Sequence, residues 1–273
     1  MNIETREGLF AVMEQIAAER EAARPIVEKL VASGEPVEDI EIPEGWRTAG
    51  MVMELCDFAF SRLENDPLQS LAFAHVALAI AGNLGADMYS STLRAYVEGR
   101  AWKEVGYGHR YLDRHDASIP AFQTSETVFS EEGALLHEAN ISRYLRAGEL
   151  CEVAKHAEAL ALNQATTEVF RDVNDIDRLV RCDILEAVIE FRKGALESAR
   201  KKFEAILNRS RDSVDLYTLG YAYNGLGQTY RVLGRTNDAI MALESARRIF
   251  SNLDMPAEIN RTDWGEALIL LES

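Results

Sequence analysis

Proline is scarce in this sequence, six residues in 273, and no proline-rich or serine- and glycine-rich tract interrupts it. That argues against a flexible linker or a disordered arm. Cysteine is scarcer still. Cys56, Cys151 and Cys182 are odd in number, widely spaced and without a C-x-x-C pair. Set among apolar helical patterns, they read as buried reduced thiols rather than a disulfide or metal framework. The longest apolar run, "SLAFAHVALAIAG", is broken by His75 and falls short of the ~20 residues a membrane-spanning helix needs. The first residues, "MNIETREGLF", lack the basic-then-apolar build of a secretory signal. These absences make a cytoplasmic protein without a membrane partner the expectation.

Basic charge is also in short supply. Forty-five acids oppose 29 bases for a net charge of −16, and residues 1–66 alone hold 15 acids and 6 bases. Such a field repels a phosphate backbone, which excludes sequence-independent binding of nucleic acid or anionic membrane. It leaves open a basic partner for the N-terminal region, beside the plainer role of keeping the surface soluble.

Sustained two-residue alternation is missing too, so no sheet is expected. Apolar residues instead recur at steps of three and four, as in Leu9, Met13 and Ile16, then Ile26 and Leu30. Arg24-Pro25 should kink or break the first helix. "SGEPVEDIEIPEG", residues 33–45, reads as a loop that separates an N-terminal helical hairpin or arm from the rest.

Beyond Trp46 the chain repeats itself. Residues 98–129 align without a gap on 219–250, with Gly99/Gly220, Gly106/Gly227, Ala121/Ala242 and Phe129/Phe250 among the identities. Each copy reads as helix, short polar turn and helix, with Asp116 and Asn237 as N-caps of the second helices. Pro120 requires its helix to start no earlier than about Asp116. Weaker copies occupy 135–162, 183–207 and 45–81. Their small landmarks, Ser70, Ser118, Val153, Ala199 and Ala239, step unevenly.

Residues 220–253, with Tyr223, Leu226, Gly227, Tyr230, Gly234, Ala239, Leu243 and Ala246 in place, resemble the tetratricopeptide repeat (TPR) family. Residues 99–132 match with Asp113 for the turn glycine and Ser118 for the small alanine. The resemblance implies an all-α, right-handed superhelical solenoid of about five antiparallel helix pairs. An N-terminal arm and acidic loop (1–44), the repeats (45–255) and a C-terminal capping helix (256–273) make one continuous domain. The last helix should run from about Thr262, covering the final repeat with Trp264, Leu268 and Leu271; Ile269 and Leu270 leave its end apolar nearly all round.

The glycines of "NGLGQTYRVLG" pose a choice between a phosphate loop and close helix packing. A phosphate fingerprint needs a strand-to-helix turn, and no strand is readable here. Gly227 falls between Leu226 and Tyr230 on a helix, where packing explains it. No cofactor is implied. The five histidines show no H-E-x-x-H or pair one turn apart, and His109 takes the place of a core tyrosine. No nucleophile elbow or Walker sequence occurs, so the expectation is a binding protein rather than an enzyme.

The face opposite the packed stripe of residues 102, 105, 106 and 109 carries Arg100, Lys103, Tyr107, Arg110 and Tyr111. Its counterpart on the later copy is Tyr221, Asn224, Gln228, Arg231 and Val232. The resemblance implies that such positions line the concave surface and hold a protein or peptide. Arg and Lys suit acidic groups, the amides of Asn224 and Gln228 suit a peptide backbone, and the tyrosines suit interface hot spots. Two roles fit: a scaffold or adaptor, or a sensor in which a bound peptide or small ligand alters a second surface. The C-terminal helix offers a contact for a homo-oligomer.

Overall fold

The structure is a computed structural model that describes residues 6–34, 37, 40–210 and 214–272. Among these residues there are twelve α-helices and no strand. They run α1 (Arg6–Ser33), α2 (Ala49–Arg62), α3 (Pro67–Ala81), α4 (Ser91–Tyr111), α5 (His115–Ser130) and α6 (Leu136–Glu152). Then follow α7 (His156–Asp172), α8 (Ile176–Arg192), α9 (Leu196–Ser210), α10 (Leu216–Val232), α11 (Thr236–Asn252) and α12 (Pro256–Glu272). Among the described residues no helix is long and apolar enough to cross a membrane. The helices gather into two compact units, residues 1–146 and 147–273, with the division falling inside α6.

From α6 onward the helix boundaries recur every 40 residues: α6, α8 and α10 begin at 136, 176 and 216, and α7, α9 and α11 at 156, 196 and 236. The turns between them explain the regularity. Asp113, Ala154, Asn174, Gly194, Gly234 and Asp254 each take a left-handed backbone, with φ between 53° and 81°. At each one the next residue's N–H reaches back to a carbonyl five residues earlier, as Arg114 to His109 at 2.9 Å and Arg235 to Tyr230 at 2.9 Å. This closure satisfies a helix-terminal carbonyl and reverses the chain. Only two of these six turns use glycine, so most of the period is silent in a search for turn glycines.

Three expectations about local structure are corrected here. Val153 is not the third small landmark; it is exposed at the end of α6, and Ala159 takes that place. Ser118, Ala159, Ala199 and Ala239 are all fully buried and step evenly. Asp116 and Asn237 are not N-caps, because they lie inside α5 and α11; Arg114 and Arg235 hold the cap positions, without a side-chain hydrogen bond. Accordingly α5 starts at His115, and Pro120 sits within its second turn. The last helix starts at Pro256, not Thr262, directly after the Asp254 turn, where a missing N–H costs nothing.

In the N-terminal unit the arm is one uninterrupted helix. Pro25 lies inside α1 without ending it. Burial outweighs the lost hydrogen bond: Ala23 and Val27, on either side of Pro25, are buried against the α2–α3 core. Polar ties add to this. Glu19 accepts from the Gly50 N–H at 2.9 Å and from the Tyr89 hydroxyl at 2.7 Å. Met13 is exposed and Ile16 half-buried; the side chains of Leu9 and, at the other end, Leu270 lie outside the described residues.

The glycine question has a geometric answer. A Cβ on Gly106 would sit 2.6 Å from the Phe122 ring, and one on Gly227 would sit 2.7 Å from Leu243. Gly99 and Gly220 face Phe129 and Phe250 at 2.7 Å each. These are fully buried side chains of α5 and α11. Each glycine is a socket for a large residue of the paired helix, in both copies of the strong repeat. All three cysteines are buried and free.

Candidate functional site

In the N-terminal unit, helical spacing puts Arg100, Lys103, Tyr107, Arg110 and Tyr111 on one face of α4. Acids from other first helices meet them. The Arg100 guanidinium pairs with Asp57 of α2, which also takes Arg20 of α1 at 2.5 Å. Arg20 in turn reaches Glu54 at 2.8 Å, so α1, α2 and α4 share one ion-pair network. Lys103 lies 3.3 Å from Glu138 of α6, and the Tyr111 hydroxyl donates to Glu64, just past α2, at 2.7 Å. Arg110 is half-buried. The Tyr107 ring stands edge-on between Phe122 (5.5 Å) and Phe60 (5.9 Å). Phe60 is 56% exposed, an apolar plate on this face that the repeat alignment did not single out.

Beside this face a carboxyl is buried. Glu104 is 3% exposed, and its Oε2 has no hydrogen-bond partner. Burial pushes its pKa up to about 7, against the pull of Lys103 and Arg100. The same burial, with Glu104 as the next cause, raises the Cys56 thiol well above its ordinary range. Cys56 is therefore a protonated core residue, not a reactive thiolate.

In the C-terminal unit Tyr221, Asn224, Gln228 and Arg231 share a face of α10 that meets α12. The Tyr221 hydroxyl donates to Glu258 of α12 at 2.7 Å and stands 3.3 Å from the Tyr217 hydroxyl. Its ring packs edge-on against Tyr217 and Phe250. Gln228 accepts from Arg231 at 3.2 Å, and its amide lies over Gly265 of α12, 2.2 Å from where a Cβ there would sit. Asn224 is the exception. Its Oδ1 is buried and has no hydrogen-bond partner. An amide oxygen left so costs roughly 1–3 kcal/mol until a donor reaches it.

One repeat earlier, Arg181 of α8 stands where Tyr221 stands on α10. It donates to Asp215 at 2.7 Å and to Thr218 at 3.1 Å, with its guanidinium 5.2 Å from the Tyr217 ring centre. Neither Arg181 nor Glu258 was named from sequence, because the weaker copies carried no register by which to place them. The expected covering role of Trp264 and Leu271 is also corrected: they are 67% and 81% exposed. Glu258, Thr262, Gly265 and Ile269 are the residues of α12 that pack inward, because helical rotation turns Trp264 and Leu271 away. Among the described residues, no three side chains of metal-binding type converge.

No protein-family model matches this chain, and no curated protein does. Solved structures do. NprR in complex with its cognate peptide NprX aligns over 98% of this chain and 74% of its own, at 16% identity and a TM-score of 0.63. Aspartyl phosphate phosphatase F from Bacillus subtilis aligns over 94% and 70%, at 13% identity and a TM-score of 0.60. BtubC (BKLC) from P. vanneervenii aligns over 89% and 92%, at 16% identity and a TM-score of 0.55. The identities are too low to carry more than architecture. With consecutive helices paired as described, the chain has a divergent TPR-like fold.

Proposed function

We propose that this chain is a non-catalytic protein that binds an extended peptide on the first-helix face of α10, beside α12. The observation that carries the reading is Asn224, a half-buried residue of this face whose amide oxygen has no hydrogen-bond donor within the chain. A backbone N–H fits that acceptor, and the same amide can return a hydrogen bond to a backbone carbonyl. Support comes from the solved NprR complex, which shares this fold over 98% of the present chain and holds a peptide. Arg231 adds a cation for acidic groups of the ligand. The α4 face, with Arg100, Lys103, Tyr107, Arg110 and Tyr111, is proposed as a second contact area. There Phe60 and Tyr107 offer rings while the acids of neighbouring helices temper the charge.

The test is affinity selection from a library of linear synthetic peptides with free termini, read by mass spectrometry. Wild type should retain a defined subset. Asn224→Ala, with helicity unchanged, should weaken their binding roughly tenfold, the loss of one hydrogen bond to a buried amide. Retention of no peptide, or affinities untouched by both Asn224→Ala and Arg231→Glu, would sink the proposal. Small-angle scattering with and without a retained peptide then separates the two roles. A change of shape marks a sensor, and an unchanged profile marks a scaffold.

A further inference from the structure

Helices α10 and α12 share a register and differ in what they display. The bounds of α12 repeat those of α10 exactly one 40-residue step later, Pro256–Glu272 against Leu216–Val232. Trp264, Leu268 and Leu271 therefore hold the register positions of Asn224, Gln228 and Arg231. Where the interior helix carries two amides and a cation, the last helix carries an indole and two isobutyl groups. Trp264 is 67% exposed and Leu271 81%, with Leu268 half-buried.

The side of α12 that a further second helix would cover has the opposite character. Its positions in register with Tyr223, Leu226 and Gly227 are Asp263, Glu266 and Ala267. Both acids are engaged by Arg247 of α11, at 3.0 and 3.6 Å. Charge thus lines that side of α12, and the large apolar side chains that α12 exposes, Trp264 and Leu271, lie on the stripe that continues the Asn224 face. Nor does α12 need these side chains to dock, since Glu258, Thr262, Gly265 and Ile269 do that.

We infer that Trp264, Leu268 and Leu271 form an apolar subsite for one aliphatic or aromatic side chain of the peptide whose backbone Asn224 holds. This rests on the peptide-binding reading of the preceding section. Size selects the occupant. A stable dimer interface takes roughly 20–30 residues a side, and three side chains fall far short of that. They match one large ligand residue. Spacing then sets where it lies. Packed helices stand about 8–10 Å apart and an extended chain advances roughly 3.3 Å per residue. The apolar residue should therefore fall about three positions from the one bound at Asn224.

The experiment uses the full chain and a peptide retained in the library selection, scanned position by position with Asp. One apolar position should lose at least tenfold in affinity on replacement. In the variant Trp264→Ser, Leu271→Ser, that penalty should shrink to within about twofold, while the dependence on Asn224 persists. Because both side chains are exposed, this variant should keep wild-type helicity. Peptide binding whose apolar preference survives the double substitution would overturn this inference alone. Failure of wild type to bind any peptide would overturn it together with the reading it rests on. A wild-type dimer in sedimentation that the double variant dissolves would also overturn it, giving the patch to a second copy.

Discussion

The α4–α5 and α10–α11 hairpins are built alike and finished differently. Both seat large side chains of the second helix in glycine sockets of the first, at matching positions. On their outer stripes the likeness ends. The α4 stripe is cationic and tied to acids of α2 and α6, with Glu104 buried beside it. The α10 stripe is neutral at its centre and leaves the Asn224 oxygen without a partner. Packing of a helix pair thus depends on a few small and large residues. The remaining surface is free to serve cohesion in one place and recognition in another.

The largest test of this contrast is pH. Glu104 holds its proton in the folded state up to about pH 7, whereas the unfolded chain releases it in the ordinary carboxylate range. The folded state binds the extra proton, so this contribution is full at low pH and is lost as pH rises from about 4.5 through 7. The loss amounts to about 3 kcal/mol, and Glu104→Gln should abolish it. Urea unfolding of both proteins from pH 4.5 to 8 reads the difference. In the other unit the sign reverses. Burial works against the Glu204 carboxylate, but the Tyr230 hydroxyl and Arg200 outweigh it and hold its pKa below the ordinary range. Its contribution is present at neutral pH and fades on acidification, so Glu204→Gln should cost most near neutrality.

The sockets come next. Gly106→Ala and Gly227→Ala should each cost about 1–3 kcal/mol by overpacking, seen as lower thermal midpoints. If one is tolerated and the other is not, the structural equivalence of the two hairpins fails. A smaller effect distinguishes their turns. Asp113 and Gly234 occupy matching left-handed positions, with φ of 55° and 73°. Asp113→Gly should stabilise by roughly 1 kcal/mol and Gly234→Asp should destabilise by a similar amount. The smallest effect concerns caps. Ser90 caps α4 through the Leu93 N–H at 3.2 Å, so Ser90→Ala should cost about 1 kcal/mol. Asp116→Ala and Asn237→Ala, one residue inside their helices, should stay within about 0.5 kcal/mol.

Much of the fold could be read before any coordinates. Helical spacing, the paired glycines and the aligned copies at 98–129 and 219–250 are local patterns, and local chemistry dictates them. The uneven landmarks misled because the copy at 135–162 lacked a glycine turn. Ala154 makes that turn in a left-handed conformation its side chain disfavours. The candidate site was legible only as a stripe of residue types. Which acids would meet Arg100, Lys103 and Tyr111 depended on chain segments 35 to 47 residues away in sequence.

Sequence alone determined the all-helical class, the glycine sockets and the faces of α4 and α10, since each follows from periodicity along one helix. Tertiary structure decided the rest. It let α1 run through Pro25, because buried neighbours outweigh one missing hydrogen bond. It set the even 40-residue period through turns that most often lack glycine. It joined the α4 cations to distant acids, and it turned Trp264 and Leu271 outward while leaving the Asn224 oxygen without a hydrogen-bond donor. These are outcomes of burial and charge pairing between helices, and such interactions exist only once the helices have met.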